Sequence, residues 1–214
     1  MKRAMTDSAK AKRAMQILDA AEQLYKTSRF EDIKMVDIAQ TAGVSKGTLF
    51  NYYTSKESIF MEMLFREYNK RFKKMQILLL EYETMSKEDF KSFVVKEINP
   101  YLDEDSIYTR LNAIKNTILE KNIDYTVAMK DKVRMYENGE KIGQQISSLV
   151  PFMTPEKVME FFLAQNAIIV GAMNLSGSPR AIKEGISEMK LSGFDVDFKS
   201  TAISIMTSYM DGFL

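Results

Sequence analysis

The 214-residue sequence contains no cysteine and no histidine, and it has only 4 prolines. Without cysteine there are no disulfides or thiol nucleophiles, and without histidine there is no imidazole base or Ser-His-Asp triad. The sequence also lacks a phosphate-binding loop and a spaced cluster of metal ligands. We therefore expect no enzyme, no catalytic residues, no metal site and no cofactor. The shortage of proline and the 16 methionines favour a helical protein with adaptable packing.

Long apolar runs are also scarce. The longest run without charge, residues 161–179, includes five amide and hydroxyl side chains. Its strongly apolar part is shorter than the roughly 20 residues that a spanning helix needs. Residues 1–13 are polar and basic, unlike a signal peptide. We expect a cytoplasmic protein without a membrane segment.

The charge is unevenly distributed although the net charge is only +1. Residues 1–74 contain 15 Lys and Arg against 9 Asp and Glu, a balance of +6, which leaves −5 for residues 75–214. A basic N-terminal third on an acidic remainder indicates that one end of the protein meets a polyanion.

Helical spacing of apolar residues runs through the chain and predicts an all-α fold. Capping residues mark the helix starts, while Asn138-Gly139 leaves open a break in one long helix. The predicted starts are Ser55 (for a helix to about Leu80), Ser86, Asp103 or Asp105, about Tyr125, Thr154, Ser178 (for a helix ending near Gly193) and about Asp197.

A helix-turn-helix pattern occupies residues 34–53. Two helical turns with the apolar residues Ile38 and Ala39 precede a tight turn at Gly43, and a short second helix follows. Val44 and Leu49 would seal the corner between the two helices. In this motif the second helix places its N-terminal part in the DNA major groove.

The exposed side of the second helix carries groups suited to DNA. Hydroxyl, amide and ammonium groups bond phosphates or base edges, an aromatic ring contacts a thymine methyl group or a sugar, and a glycine permits close backbone approach. The predicted DNA-binding residues are Ser45, Lys46, Gly47, Thr48, Phe50, Asn51, Tyr52 and Lys56. A basic arm either follows the DNA or is a solvated tail. The arm residues are Lys2, Arg3, Lys10, Lys12 and Arg13.

Residues from about 11 to 70 resemble the DNA-binding domain of the TetR (tetracycline repressor) family of bacterial regulators. The matching elements are residues 17–22, Ile38-Ala39, the string from Gly43 to Leu49, and Ser55-Lys56-Glu57 after an aromatic cluster. Three positions depart from the family pattern. Met35 replaces a common threonine, Phe50 replaces a tyrosine that contacts phosphate, and Asn51 replaces a common aromatic residue. Tyr52 or Tyr53 would supply the missing hydroxyl.

The resemblance implies an all-α homodimer. Three N-terminal helices would bind double-stranded DNA, and a long fourth helix would join them to a helical ligand-binding and dimerisation domain. We expect the basic arm and DNA-binding domain in residues 1–56 and the regulatory domain in residues 57–214. The protein would be a ligand-responsive repressor that binds a pseudo-palindromic operator. An activating or ligand-independent regulator, and a helical ligand-binding protein that has lost DNA binding, are the alternatives.

The regulatory part is rich in aromatic residues, most of which we expect in the core. Some would line a pocket for a small, largely apolar effector. The predicted pocket residues are Tyr68, Phe72, Phe93, Tyr108, Arg110, Asn116, Tyr136 and Asn166, with Gln165 as a further polar neighbour.

The helix that opens at Thr154 is apolar on nearly every side and must be covered all round. Together with the last helix, it is expected to form the dimer interface. The predicted interface residues are Phe161, Phe162, Ile169, Met173, Met206 and Tyr209.

Overall fold

A computed structural model describes residues 7–214, apart from the side chains of Asp7 and Arg180. These residues form ten α-helices and no β-strand, so the predicted all-α fold is confirmed. The helices are α1 (Asp7–Thr27), α2 (Met35–Thr41), α3 (Lys46–Phe50), α4 (Lys56–Leu79), α5 (Lys87–Ile98), α6 (Ile107–Ile114), α7 (Tyr125–Leu149), α8 (Pro155–Ser176), α9 (Arg180–Glu188) and α10 (Phe198–Phe213).

The N-terminal basic residues fall into two groups. Lys2 and Arg3 lie outside the described residues. Lys10, Lys12 and Arg13 belong to α1, so this part of the predicted arm is helical.

Side-chain caps fix the start of four helices where the sequence predicts them. The Ser55 hydroxyl accepts a hydrogen bond from the Ser58 backbone at 3.2 Å, and the Ser86 hydroxyl accepts one from the Asp89 backbone at 3.1 Å. Thr154 and Asp197 cap α8 and α10 in the same way. Each cap satisfies a backbone donor that the first turn of a helix would otherwise leave unpaired.

Two predicted helix boundaries are wrong. Helix α6 begins at Ile107, because the Asp103 carboxylate accepts a hydrogen bond from the Asp105 backbone at 2.8 Å and forms a local turn instead of a cap. Helix α9 ends at Glu188, earlier than predicted. Lys190 has a φ of 55°, and this left-handed conformation takes the chain out of the helix.

Helix α7 runs through Asn138-Gly139 without a break. The missing side chain at Gly139 lets α8 approach closely, since a Cβ there would lie 3.1 Å from Met159 Cε and Sδ. The amide of Asn138 donates to Asn69 Oδ1 at 3.1 Å and joins α7 to α4.

Helix α4 belongs to two packing units. Its first half packs on α1, where the Phe60 ring meets Tyr25 and Phe30 edge-on at centroid distances of 5.1 and 5.0 Å. Its second half packs on α6 and α7. We call α1–α3 with the first half of α4 the head, and the second half of α4 with α5–α10 the body.

The body is built around α8, which packs against α6, α7 and α10. Among the described helices, α8 alone is long and apolar enough to cross a membrane, with 28% of its most apolar window buried. Its buried residues recur at helical spacing: Val158, Phe161, Gln165, Ile169 and Ala172. The apolar character of α8 therefore serves the core on one side and leaves apolar surface on the other.

Candidate DNA-binding surface and effector cavity

The corner between α2 and α3 is sealed on its inner side. Gly43 turns the chain with a φ of 62°, a conformation that side chains with a Cβ disfavour. The Val44 backbone then donates to the Ala39 carbonyl oxygen at 2.9 Å, and Ile38 and Leu49 are fully buried beneath the corner. This packing fixes the angle between the two helices and leaves one face of α3 uncovered.

The uncovered face of α3 carries the predicted DNA-binding residues. The Ser45 hydroxyl caps the helix by accepting from the Thr48 backbone at 3.0 Å, and it lies 2.8 Å from the Thr48 hydroxyl. Lys46, Gly47 and Phe50 are exposed, and the Lys46 ammonium lies 5.9 Å from the centre of the Phe50 ring. Asn51 is also exposed, whereas Thr48 and Tyr52 are half-buried.

Lys56 has a second role that the sequence did not indicate. Its ammonium donates to the Phe30 carbonyl oxygen at 2.6 Å and lies 4.0 Å from the centre of the Phe30 ring. Burial lowers the pKa of Lys56, although the carboxylates of Glu57, Glu31 and Asp32 oppose the shift. Lys56 therefore holds the loop between α1 and α2 in the head.

Of the three departures from the family pattern, Phe50 and Asn51 are exposed at the C-terminal end of α3, and Met35 lies on α2. Met35 opens α2 and packs half-buried against the core. Tyr53 is buried, and burial together with Glu62 raises its pKa, so its hydroxyl is not on the DNA-facing surface. Tyr52 is thus the tyrosine of the pair that reaches the surface beside Phe50.

A cavity of about 230 Å³ lies in the body between α4, α6, α7 and α8. Five of the eight predicted pocket residues line it. They are Tyr68, Phe72, Tyr108, Tyr136 and Asn166, and Gln165 joins them.

The structure does not bring the other three predicted residues to this cavity. Phe93 is buried in the core against Tyr82, with ring centres 6.0 Å apart. Asn116 is exposed on the π-helical turn that follows α6. Arg110 points to the head, where it donates to the carbonyl oxygens of Tyr25 at 2.6 Å and Ser28 at 2.9 Å.

A buried polar network forms one wall of the cavity. The guanidinium of Arg71 makes a two-pronged ion pair with Glu97, at 2.8 Å from Nε and 2.7 Å from Nη2. It also donates to the Tyr108 hydroxyl and to Gln165 Oε1, each at 2.5 Å. Burial alone would lower the pKa of Arg71, but the Glu97 carboxylate and the Tyr108 hydroxyl together outweigh burial and raise it. This network joins α4 to α5, α6 and α8.

The predictions from sequence missed Arg71 and Lys115, which both line the cavity. The sequence could have indicated Arg71, because it lies three residues after Tyr68 on the apolar stripe of α4. A charged residue on such a stripe needs a buried partner. Lys115 had no comparable signal, since the π turn that directs it inward follows from packing.

Three predicted interface residues lie inside the protomer. Phe161, Ile169 and Met206 are buried against their own chain, so they offer no surface to a second copy. Phe162, Met173 and Tyr209 are half-buried. Half of the predicted interface residues thus belong to the face that packs on the protomer core. Large exposed apolar side chains lie elsewhere on these two helices, at Leu163, Leu175 and Ile205.

Two family models match the chain almost end to end. Residues 17–63 match the model described as "Bacterial regulatory proteins, tetR family", and residues 65–214 match "Tetracyclin repressor-like, C-terminal domain". The chain belongs to the TetR family. The two models meet inside α4, whereas our boundary at residues 56–57 marks the start of that helix and stays a prediction.

Known TetR-type proteins are similar to this chain in sequence and in fold. The uncharacterized regulator YdgC of Bacillus subtilis is 29% identical over 103 residues, which are 47% of this chain and 52% of YdgC. YfiR of the same organism is 26% identical over 58% of this chain and 54% of its own length. The chain therefore spans about half the length of these curated relatives.

Solved TetR structures share the fold over nearly their whole length. FadR of Bacillus halodurans, titled a fatty acid degradation regulator, has a TM-score of 0.58 at 14% identity, covering 92% of this chain and 98% of FadR. A TetR regulator of Rhodococcus sp. RHA1 has a TM-score of 0.56 at 15% identity, with coverages of 92% and 96%. These values establish the TetR fold. The chain is thus a member of a family of helix-turn-helix transcriptional regulators.

Proposed function

We propose that the protein is a ligand-responsive transcriptional repressor that acts in the cytoplasm as a homodimer on a pseudo-palindromic operator. The observation that carries this proposal is the two-sided character of α3. Leu49 is buried on one side of the helix, while Lys46, Gly47 and Phe50 are exposed on the other. A short helix with a sealed inner face and a donor-rich outer face suits insertion into the major groove.

The exposed residues divide into two roles. Lys46 and Lys56 contact phosphates and supply affinity that depends on salt, together with the cap residue Ser45. Thr48 and Asn51 contact base edges, and Phe50 offers its ring to a thymine methyl group or a sugar. Gly47 keeps the helix backbone close to the DNA, and Tyr52 provides the hydroxyl that Phe50 lacks.

Binding of the protein to DNA fragments that flank its own gene tests this proposal. Fluorescence anisotropy should reveal one specific site whose affinity falls steeply with salt. Lys46→Ala should weaken binding to all sequences alike and reduce the slope of log affinity against log salt by about one. Lys46 is the better choice than Lys56, because Lys56 also holds the head together.

A matched control is Lys130→Ala, which removes an exposed lysine on α7 in the body. It should leave both affinity and salt slope unchanged. The proposal would be wrong if no specific site were found at any salt concentration.

The homodimer rests on apolar surface that the protomer leaves uncovered. Leu175 on α8 and Ile205 on α10 are 61% and 45% exposed, and α8 packs on α10. Large exposed apolar side chains on two helices that pack on each other favour an interaction site. Two copies joined there would present two α3 helices to half-sites about 34–36 Å apart, or a multiple of that spacing.

Sedimentation of charged variants tests the dimer. Leu175→Glu and Ile205→Glu should each shift the protein towards monomers and weaken operator binding. Leu80→Glu is the control, because Leu80 is a 78% exposed leucine at the end of α4. This variant should stay dimeric, and a wild-type protein that sediments as a monomer at micromolar concentration would contradict the proposed dimer.

The cavity is the proposed site of a small, largely apolar effector. Tyr68, Arg71 and Phe72 line the cavity from α4, the same helix that carries Phe60 in the head. An effector that binds one tilt of α4 more tightly than another shifts the population of head positions.

Reporter transcription with and without the protein distinguishes this repressor from an activator, and addition of the effector distinguishes it from a ligand-independent regulator.

A further inference from the structure

The polar wall of the cavity is rich in hydrogen-bond donors. The Tyr108 hydroxyl accepts from Arg71 Nη1 at 2.5 Å, which leaves its own proton for another acceptor. Burial raises the pKa of Tyr108, so the hydroxyl stays protonated even though Arg71 opposes the shift. Both Glu97 oxygens and the Gln165 carbonyl oxygen are already used by Arg71. These three acceptors are thus occupied, whereas the Tyr108 proton remains. The acceptor Asn166 Oδ1, elsewhere on the cavity lining, has no hydrogen-bond partner among the described residues.

Positive charge is left over at the cavity. Arg71 and Glu97 cancel each other as a buried ion pair. Lys115 and Lys132 share Glu120, at distances of 3.9 and 2.8 Å, so one positive charge of this trio is uncompensated. Lys132 lies closer to Glu120 than Lys115 does, so Lys115 is the more weakly paired cation of the two.

Lys115 is desolvated at the point where it lines the cavity. Its side chain is 15% exposed, and its ammonium lies 5.8 Å from the centre of the Tyr68 ring. Burial lowers the pKa of Lys115, with only partial opposition from Glu120. The π-helical turn Lys115–Leu119 places it there, and such turns recur at functional sites. An anion bound beside Lys115 would complete the compensation that Glu120 supplies only in part.

The remaining wall is apolar and sets the size of the occupant. Phe72, Met135, Met159 and Phe162 surround the space opposite the donors. Apolar cavities of about 150 Å³ admit benzene, so the space of about 230 Å³ admits a somewhat larger apolar group. An apolar body of about eight carbon atoms fits this space, and the buried Asn166 Oδ1, which has no hydrogen-bond partner among the described residues, borders it.

We propose that the effector is an amphiphile with a single anionic head group, which pairs with Lys115 and accepts from the Tyr108 hydroxyl, and an apolar body of about eight carbons. The inference deepens the proposed function and rests on it, since it names the chemical class of the effector. A neutral apolar compound of the same length would fill the same space but leave Lys115 only partly compensated.

Calorimetry with two probes of equal chain length tests the head group without DNA. Octanoate should bind wild-type protein at least about tenfold more tightly than 1-octanol, as expected for hydrogen bonds between charged groups. Lys115→Met should reduce octanoate affinity about tenfold and leave octanol affinity within about twofold. Lys115→Arg, which keeps the charge, should retain the preference for octanoate and guards against a general failure of the methionine variant.

Lys121→Met is the matched control. Lys121 is exposed on the 3₁₀ turn Glu120–Asn122, outside the cavity lining, and its loss should change neither affinity. Equal affinity for the two probes, binding of neither, or an equal loss of both in Lys115→Met would overturn the inference.

A separate measurement keeps the two proposals apart. If octanoate binds as expected but leaves operator occupancy unchanged, the ligand response is contradicted and the cavity assignment stands. If octanoate fails to bind while the unliganded protein binds its operator with the expected salt slope, the cavity assignment alone fails.

Discussion

The head and the body use charged side chains in opposite ways, and two arginines of α4 show the difference. Arg66 pairs in the head with Asp19 at 2.8 Å and with Glu22, and all three side chains keep contact with solvent, at 18%, 63% and 21% exposure. Arg71, in the body, is 5% exposed and is bonded to Glu97, Tyr108 and Gln165. An exposed ion pair contributes little and rearranges easily, whereas a buried charge tolerates few alternative arrangements. The head thus keeps its shape through apolar packing, and the body depends on a polar network beside a cavity.

The strongest test of this difference is removal of the buried carboxylate. Glu97→Ala should lower the free energy of unfolding by about 3–5 kcal/mol, because it leaves the Arg71 charge buried and uncompensated. Urea denaturation measures the loss. Replacement of both partners, Arg71→Met with Glu97→Leu, should recover most of it. If Glu97→Ala were as stable as wild type, the network would not be holding the body together.

The link between head and body is the next test. Arg110→Ala should cost about 2 kcal/mol, since the guanidinium donates to two carbonyl oxygens and stacks 3.9 Å from the Tyr25 ring. Thermal unfolding followed by circular dichroism measures this loss. The control Arg134→Ala removes an exposed arginine on α7 and should be nearly neutral. A loss no larger than that of the control would show that Arg110 does not join the two units.

Alanine variants of two glycines in the head distinguish effects on stability from effects on DNA binding. Gly43→Ala should destabilise the protein by about 1–2 kcal/mol, because its φ of 62° is unfavourable for alanine. Gly47→Ala should leave stability unchanged or improve it by about 0.5–1 kcal/mol, since Gly47 is helical and a Cβ there meets only Ser45 Oγ at 3.9 Å. Operator binding should nevertheless weaken in Gly47→Ala. Thermal unfolding and fluorescence anisotropy, measured on both variants, test these expectations. Operator binding by Gly47→Ala as tight as that of the wild type would show that Gly47 lies away from DNA.

The smallest expected change in stability concerns the wall of the cavity. Gly139→Ala gains helix propensity in α7 but crowds the flexible end of Met159, so the free energy of unfolding should change by less than about 1 kcal/mol. The displaced Met159 should narrow the cavity and weaken octanoate binding severalfold. Calorimetry beside urea denaturation separates the two effects. Unchanged octanoate affinity would indicate that the ligand does not approach Met159.

Local chemistry explains why most helices could be predicted from sequence. Ser55, Ser86 and Thr154 each satisfy a backbone donor within their own first turn, so the signal needs no distant partner. The predicted start of α6 was wrong because of another local bond. The Asp103 carboxylate accepts from the Asp105 backbone and does not cap the helix. Which of two possible local hydrogen bonds a side chain forms depends on tertiary packing, and the sequence alone does not reveal that packing.

The residues of the two candidate sites also differ in whether local sequence determines their orientation. The fixed spacing of the motif predicted that Lys46, Gly47 and Phe50 would be exposed on α3. Thr48 and Tyr52 are half-buried, and the contacts with DNA stay a prediction. Helical spacing alone did not reveal that Arg110 faces the head or that Phe161 packs inward on its own protomer. Each of these orientations depends on another helix far away in the sequence.

The contact made by Arg110 also bears on how the molecule divides. The carbonyl oxygens that it caps belong to the last turn of α1 and the residue beyond it, and no continuation of that helix can bond them. A fragment cut after α4 would expose these oxygens to water and lose the side chain that terminates its first helix. The DNA-binding part is therefore held in place partly by a residue of the body, and its separation from the body should lower the stability of α1.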